Sequence, residues 1–266
     1  MNCQRLLTFL NRVGYYLIYR KKATYPNTPV EHTDLPLTIS KILSDHYVYP
    51  ELKRIAGIRK HMLSNALRIP MGQFGAGSAD RVLPVKRIVK KTAVTNKQGE
   101  FLFKMARHLK PESIIELGTA TGISTLYFAL GNPLARVITV EGNPELGNFA
   151  ATNFLQNHVM NIDLFSCSFE EAMVKLQLLS IHNALIFIDG NHTYEATIRY
   201  FQFFTERCSG NLCLIFHDIY WSPAMKNAWD EIRMDQRTNT ALDLFDFGIV
   251  YNFEHSPAQN FVIRYG

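Results

Sequence analysis

The strongest chemical signal in the chain is a turn of small residues between a short apolar run and a helical pattern. Residues 114–117 (Ile-Ile-Glu-Leu) lead into residues 118–122 (Gly-Thr-Ala-Thr-Gly) and then into Ile123 and Ser124. Gly118 and Gly122 lack a Cβ, so the backbone can bend and leave room for a nucleoside, while the helix presents its first amides. The spacing is G-x-x-x-G, not the G-x-G-x-x-G of a dinucleotide site.

Polar and acidic residues follow the next two apolar runs as well. Glu141 and Gly142 end the run at residues 137–140, where a carboxylate is placed to hold a ribose diol. Ser168 and Phe169 follow the run at residues 162–166 and offer a polar turn and a ring to an adenine. Three such strand ends in succession predict a nucleoside site, and Glu116 before the first turn favours a cationic ligand over a pyrophosphate.

These motifs resemble the class I S-adenosylmethionine-dependent methyltransferases over roughly residues 95–266. Within that family the chain looks like the bacterial small-molecule O-methyltransferases of catechol, macrocin and cephamycin type, and like a subgroup with a helical N-terminal extension. The resemblance implies an S-adenosyl-L-methionine site at the three strand ends. The implied cofactor-binding residues are Glu116, Gly118, Thr119, Ala120, Gly122, Ser124, Glu141, Gly142, Ser168, Phe169 and Asp189.

The same resemblance places acid–base chemistry after the fourth and fifth strands of the family. Asp189 and His192 lie in the run Asp-Gly-Asn-His, and His217 is followed by Asp218. Because the sulfonium is already activated, the protein must align a nucleophile and accept its proton, and Asp189, His192 and His217 are the candidates for this catalysis. Many of these enzymes bind a magnesium-like ion, which implies Asp189 and Asp218 as metal ligands. Ile219 stands where the catechol type has Asn, so a complete metal triad is not evident.

The elements that must position these residues follow from hydrophobic periodicity. Short β-rich runs alternate with amphipathic helical stretches after residue 110, which is typical of βαβ units. The strands are expected at residues 113–117, 136–141, 162–166, 184–189 and 212–217, with an antiparallel hairpin of residues 242–253 and 260–264. The fold class expected is therefore α/β, a doubly wound Rossmann-like sheet of seven strands, parallel with an antiparallel C-terminal hairpin.

The first part of the chain has apolar positions at helical spacing and predicts an all-helical N-terminal extension. Helices are expected near residues 4–20, 37–47, 51–66, 83–91 and 96–108, with a flexible glycine loop at residues 72–78. The predicted domains are a helical extension or lid at residues 1–94 and a methyltransferase domain at residues 95–266. Such extensions cover the cofactor, pair subunits or select substrate, so a homodimer stays open.

Charge divides the chain sharply. Residues 1–110 carry 20 Lys and Arg against 6 Asp and Glu, a balance of +14, whereas residues 111–266 carry 8 against 17, a balance of −9. The basic part could meet nucleic acid or an anionic lipid surface, or it could dock on the acidic part. The apolar residues 4–22 are too short and interrupted to span a bilayer, which leaves peripheral membrane contact open. Four scattered cysteines and the absence of a cleavage site favour a cytoplasmic protein.

The sequence thus favours a methyltransferase that uses S-adenosylmethionine to methylate a small molecule at a hydroxyl oxygen, with Mg²⁺ as an open question. One alternative is an RNA or protein methyltransferase that docks its polymer on the basic N-terminal region, although no motif for stacking RNA bases is present. Another is a cofactor-binding scaffold without catalysis. A nicotinamide-dependent enzyme is disfavoured by the glycine spacing and by Glu116.

Overall fold

The computed structural model describes residues 3–23, 34–72, 81–252 and 259–263. They form two compact units, one of residues 1–44 with 181–266 and one of residues 45–180. The helices are α1 (Cys3–Lys22), α2 (Asp34–Ser44), α3 (Pro50–Ser64), α4 (Val85–Thr92), α5 (Asn96–Leu109), α6 (Ile123–Gly131), α7 (Pro144–Gln156), α8 (Phe169–Leu176), α9 (Tyr194–Arg207) and α10 (Pro223–Ile232). The strands are β1 (Arg68–Pro70), β2 (Val82–Pro84), β3 (Ser113–Leu117), β4 (Arg136–Glu141), β5 (Ile162–Ser166), β6 (Ile181–Ile188), β7 (Cys208–His217), β8 (Thr240–Asp243), β9 (Phe247–Asn252) and β10 (Gln259–Val262).

The unit of residues 45–180 contains three parallel strands in the order β3-β4-β5. Leu117 lies opposite Val140, and Glu141 lies opposite Ser166, so the carboxyl ends of all three strands meet at one edge. The strands β3 and β4 are almost entirely buried because helices pack on the parallel sheet, whereas β5 lies at its edge and is partly exposed. This register brings the glycine turn, Glu141 and the segment before α8 to a common edge.

The unit that contains residues 181–252 has five strands in the order β10-β8-β9-β7-β6. The strands β6 and β7 are parallel, whereas β9 runs antiparallel to both β7 and β8. Ile188 lies opposite Phe216, so Asp189, which follows β6, and His217, the last residue of β7, become neighbours. The core of this unit holds large, fully buried rings, including those of Trp229, Tyr200 and Phe247.

The C-terminal strands differ from the expectation. The antiparallel hairpin is formed by β8 and β9, and the last run, β10, pairs parallel with β8. The strands from β3 to β10 number eight, where seven were expected. The extra strand arises because the predicted first arm of the hairpin, residues 242–253, contains a tight turn at residues 244–246 and forms both β8 and β9. Residue 264 of the predicted second arm and residues 254–258 between the two predicted arms lie outside the described residues.

The N-terminal helices are confirmed to within a few residues, but the all-helical expectation for this region is wrong. The three-residue strands β1 and β2 form an antiparallel pair, with Ile69 opposite Leu83. Residues 73–78 of the predicted glycine loop lie outside the described residues. The two compact units cut across the predicted boundary between residues 94 and 95, which stays a prediction. Among the described residues no helix is long and apolar enough to cross a membrane.

Candidate active site

The glycine turn after β3 has a backbone that only small residues adopt without strain. Gly118 has φ +116° and Gly122 has φ +81°. A Cβ on Gly122 would lie 2.5 Å from Cε1 of Phe154, which is too close for any real Cβ contact. The amide of Gly122 donates to the carbonyl of Thr119 at 2.8 Å and closes the turn. The turn is therefore a concave stretch of backbone at the N-terminus of α6, suited to a ligand that approaches closely.

Glu116 is fully buried inside β3 and is bound by two hydroxyl groups. Its Oε2 accepts hydrogen bonds from Oγ1 of Thr125 at 2.5 Å and from Oγ1 of Thr139 at 2.6 Å. Oγ1 of Thr139 also lies 2.6 Å from Oγ1 of Thr119. Two of the predicted cofactor residues, Glu116 and Thr119, thus belong to a buried polar network beneath the turn. Their direct contact with a ligand stays a prediction.

Glu141 lies at the end of β4 and is 9% exposed. Its Oε2 accepts from the amide of Ala120 at 2.8 Å, and its Oε1 accepts from the amide of Asn143 at 2.9 Å. Burial raises the pKa of this carboxyl above its usual value, and the two backbone hydrogen bonds oppose the rise. A carboxylate has about four acceptor sites. The acceptor sites that the two amides leave over suit the hydroxyl pair of a ribose.

The other predicted cofactor residues lie around the same strand ends. Ser124 is buried in the first turn of α6, and Gly142 lies in the bend after β4. Ser168 is the N-cap of α8 and accepts from the amide of Glu171 at 3.2 Å, which gives it a structural function. Phe169 begins α8 and is half-buried.

Two residues of this site were missed from the sequence. Thr121 is fully buried within the glycine turn, and its Oγ1 has no hydrogen-bond partner among the described residues. Asn143 donates through Nδ2 to the carbonyl of Pro70 at 2.8 Å, caps α7 with Oδ1, and donates its amide to Glu141. Its position before the helical residue Pro144 is a capping signal that could have identified it. The hydroxyl of Thr121, within the glycine turn and unpartnered in the described part of the chain, is a candidate hydrogen-bonding group for a polar ligand.

Asp189 and His217 form a buried pair at the ends of β6 and β7. Nδ1 of His217 lies 2.8 Å from Oδ1 of Asp189, and Nε2 of His192 lies 3.7 Å from the same oxygen. Nε2 of His217 is buried and has no hydrogen-bond partner among the described residues. The three predicted catalytic residues are therefore brought together, and the imidazole keeps one nitrogen for another group.

Charge controls the protonation of this pair. Burial lowers the pKa of His217, but the charge and hydrogen bond of Asp189, with the charges of Asp218 and Asp246, outweigh it and raise the pKa to about 9. Burial raises the pKa of Asp189, and the charge and hydrogen bond of His217 reverse this and lower it. At neutral pH the pair is therefore an ion pair of imidazolium and carboxylate.

Asp218 is held by a residue that the sequence did not single out. Nη1 of Arg12 lies 3.2 Å from Oδ1 of Asp218, and Nη2 of Arg12 lies 2.9 Å from Oδ1 of Asp246. The guanidinium also lies 5.8 Å from the ring centroid of Trp221 and 5.8 Å from that of Phe245. Helix α1 thus contributes a cation to the loops after β7 and β8.

The predicted metal ligands Asp189 and Asp218 are each paired with a basic side chain in this arrangement. Asp189 accepts from His217, Asp218 pairs with Arg12, and the residue after Asp218 is the buried Ile219. Within the described ranges no group of three or more His, Cys, Asp or Glu side chains is placed to hold a metal. Metal binding by Asp189 and Asp218 stays a prediction.

The comparisons with known proteins agree with the fold. A family model described as a methyltransferase domain matches residues 115–219. A catechol O-methyltransferase of Mycobacterium tuberculosis is 37% identical over 62 residues, 23% of this chain and 28% of that protein. A tRNA1(Val) (adenine(37)-N6)-methyltransferase of a Flavobacteriaceae bacterium is 35% identical over 60 residues, 23% of this chain and 26% of that protein. Each match spans only about a quarter of the relative's length.

Solved structures share the fold over most of the chain. The O-methyltransferase from Bacillus cereus, solved in complex with SAH, matches 81% of this chain and 96% of its own, with a TM-score of 0.57 and 15% sequence identity. At this identity the match shows the Rossmann-like methyltransferase fold, which confirms the expected fold class. The matched family residues begin in β3 and end just after His217 and Asp218. The chain therefore matches a methyltransferase-domain model over residues 115–219 and shares the Rossmann-like fold of the solved O-methyltransferase.

Proposed function

We propose that this protein is a methyltransferase that transfers a methyl group from S-adenosylmethionine to a hydroxyl oxygen of a small molecule. The observation that carries the proposal is the hydrogen bond from the amide of Ala120, inside the glycine turn, to the buried carboxylate of Glu141. It joins the two parts that a nucleoside needs, a close backbone approach and an acceptor for sugar hydroxyls. The family match over residues 115–219 supports the choice of cofactor class.

The residues of the cradle would bind and orient the cofactor. Glu141 would accept from the ribose hydroxyls, and the hydroxyl of Thr121 would gain the hydrogen-bond partner that it lacks among the described residues. Gly118 and Gly122 leave the turn without side chains that would fill the space. When bound, S-adenosylmethionine supplies a methyl group on a sulfonium, which needs alignment with a nucleophile more than it needs activation.

The pair of His217 and Asp189 would handle the proton of the acceptor. Nε2 of His217 has no hydrogen-bond partner among the described residues, while Nδ1 is fixed by Asp189 at 2.8 Å. The neutral ring would accept the hydroxyl proton through Nε2 while the acceptor oxygen takes the methyl group from the sulfonium, which becomes a thioether. Because the pKa of His217 is about 9, the imidazolium dominates at neutral pH, and the fraction of neutral ring rises as the pH approaches 9. This favours an acceptor with an acidic hydroxyl, such as a phenol, whose pKa of about 10 is close to that of the ring.

A second candidate, an RNA methyltransferase, is favoured by one specific observation. Helix α4 buries Val85, Ile88 and Val89 and leaves its four basic side chains exposed. These side chains are Lys86, Arg87, Lys90 and Lys91. Such a face suits a phosphate backbone, and binding that depends on it would weaken steeply with salt.

Methyl-labelled S-adenosylmethionine and mass spectrometry test the proposal. The protein is incubated with a panel of phenols and catechols, and separately with total RNA. A labelled methyl group attached to an oxygen of a small molecule, in a yield that Glu141→Gln and His217→Asn reduce, supports the proposal. Label in RNA, abolished by high salt and by Lys86→Gln with Lys90→Gln, would replace it with the second candidate. No transfer together with tight cofactor binding would favour a scaffold without catalysis.

A further inference from the structure

Helix α1 has two faces of different character. Arg12, Tyr15 and Tyr19 recur at helical spacing and face the rest of their unit. Tyr19 donates to the carbonyl of Ile263 at 2.5 Å, and the ring of Tyr15 lies 5.5 Å from that of Tyr220. One face of the helix is therefore fixed to the loop that follows β7 and to Ile263, the residue after β10.

The opposite face of α1 is apolar and open to solvent. Phe9, Val13 and Leu17 are spaced four residues apart, and they are 60%, 40% and 56% exposed. Leu10 and Tyr16 flank them and are also exposed. A contiguous stripe of large apolar side chains in water is unfavourable, and such patches mark interaction surfaces.

The charge of α1 indicates what covers this stripe. Residues 3–22 contain no Asp or Glu. The last turn carries Arg20, Lys21 and Lys22, which are exposed at the end of the apolar stripe. Aromatic and aliphatic side chains beside Lys and Arg are the composition of helices that lie in the plane of a membrane interface. A second copy of the chain is a poorer occupant, because it would bring a second basic last turn and a second charge balance of +14 over residues 1–110 against the first, and like charges repel.

We propose that α1 docks the protein on an anionic phospholipid surface. The apolar stripe of Phe9, Val13 and Leu17 inserts between the headgroups, and Lys21 and Lys22 contact the lipid phosphates. Arg12 and Tyr19 hold the other face of the helix on its own unit, so docking needs no unfolding of α1. The contact is peripheral, in agreement with the absence of any spanning helix among the described residues. It does not depend on methyl transfer.

Sedimentation of the full chain with vesicles tests this proposal. Vesicles of phosphatidylcholine alone are compared with vesicles that also contain phosphatidylglycerol, at low and high salt. We expect binding to the anionic vesicles, weakened by salt, and little binding to phosphatidylcholine. Phe9→Ser with Leu17→Ser should lower the partition coefficient at least about tenfold, since each side chain contributes apolar burial. Lys21→Gln with Lys22→Gln should lower it by on the order of tenfold, on the anionic vesicles only.

A matched control comes from apolar side chains outside α1. Val174 and Leu178 are 61% and 86% exposed near the end of α8, so Val174→Ser with Leu178→Ser removes as much exposed apolar surface elsewhere. This variant should bind vesicles like the wild type. Equal vesicle binding by the Phe9 and Leu17 variant would overturn the proposal. So would a wild type that ignores both vesicles and instead dimerises in sedimentation velocity through the same two residues.

Discussion

At the scale of single residues, the central feature of the acid–base pair is its dependence on strand register. Asp189 and His217 are 28 positions apart in sequence, and they meet because Ile188 lies opposite Phe216 in the parallel pair of β6 and β7. The carboxylate fixes Nδ1 and holds the ring as an imidazolium at neutral pH. The ion pair therefore determines whether Nε2 of His217 carries a proton at a given pH.

Asp189→Asn should lower the pKa of His217 well below its value of about 9. The sign follows from the causes: burial lowers the pKa, the carboxylate of Asp189 is the main opposing charge, and the amide removes it. NMR titration of the His217 ring measures the shift without an acceptor. The control is Asp163→Asn on β5, which removes a surface carboxylate that pairs with Arg136 of β4. This variant should leave the His217 titration unchanged. An unaltered pKa in Asp189→Asn would mean that the ion pair does not exist in solution.

Glu141→Gln should weaken binding of S-adenosylhomocysteine by about tenfold to hundredfold, as expected when a hydrogen bond to a charged group is lost. The glutamine side chain has one acceptor oxygen, whereas the two carboxylate oxygens of Glu141 accept from the backbone amides of Ala120 and Asn143. The free energy of unfolding should therefore fall as well. Titration calorimetry gives the affinity, and urea unfolding gives the stability separately. Glu145→Gln, in the exposed first turn of α7, is the control and should leave the affinity unchanged. Equal affinities in the two variants would refute the ribose assignment.

Residues of the site were predictable where a local pattern carries them. Glu141 ends an apolar run, so its place at a strand end could be read from the sequence. Arg12 could not be predicted, because its partner Asp246 is 234 positions away and the contact depends on how α1 packs. Thr121 looked like an ordinary turn residue, and only its complete burial marks it as a ligand candidate. Long-range packing, not residue type, determined what was missed.

At the scale of elements, the backbone of the glycine turn fixes the start of α6. Gly122→Ala should destabilise the protein by roughly 1–3 kcal/mol, from positive φ and the contact with Phe154. Gly57→Ala is the matched control, since Gly57 lies exposed inside α3 with nothing within 4 Å of its Cβ position. That change should stabilise by about 0.5–1 kcal/mol, because alanine favours helix. Urea denaturation measures both, and a neutral Gly122→Ala would contradict the turn geometry.

The attachment of α1 depends on Arg12. Arg12→Ala removes two ion pairs and leaves Asp218 and Asp246 without their shared cation, so docking of α1 should weaken by about 1–2 kcal/mol. Hydrogen exchange of the α1 amides should accelerate by about tenfold, the factor that corresponds to about 1.4 kcal/mol. Lys22→Ala, on the exposed last turn, should leave exchange at Arg12 and Tyr15 unchanged. Equal exchange in both variants would show that the ion pairs do not hold the helix.

The elements themselves were largely predictable, and the exceptions have physical causes. Helical and strand periodicity is local, so β3, β4 and β5 match their predicted bounds. The pair of β1 and β2 was missed because three-residue strands ending in Pro70 and Pro84 are too short to show alternation. The parallel pairing of β10 with β8 was missed because a sequence run does not reveal which neighbour it will join.

At the scale of the whole molecule, the excess positive charge of residues 1–110 makes two kinds of contact. One is internal, since Arg12 from the basic part of the chain pairs with two carboxylates of the acidic part. The other is external, since the exposed bases of α4 and of the last turn of α1 remain at the surface. We expect the external charge to govern which surface the protein meets, and the family fold to govern which cofactor it binds.

Calorimetric titration of S-adenosylhomocysteine into the purified full chain tests the central claim most directly, with NADH as the competing cofactor and with Mg²⁺ present or absent. We expect one site of micromolar affinity for S-adenosylhomocysteine and no heat with NADH. Tightening by Mg²⁺ would restore Asp189 and Asp218 as metal ligands. Absence of S-adenosylhomocysteine binding, or binding of NADH in its place, would contradict the assignment of the glycine turn and Glu141 to this cofactor.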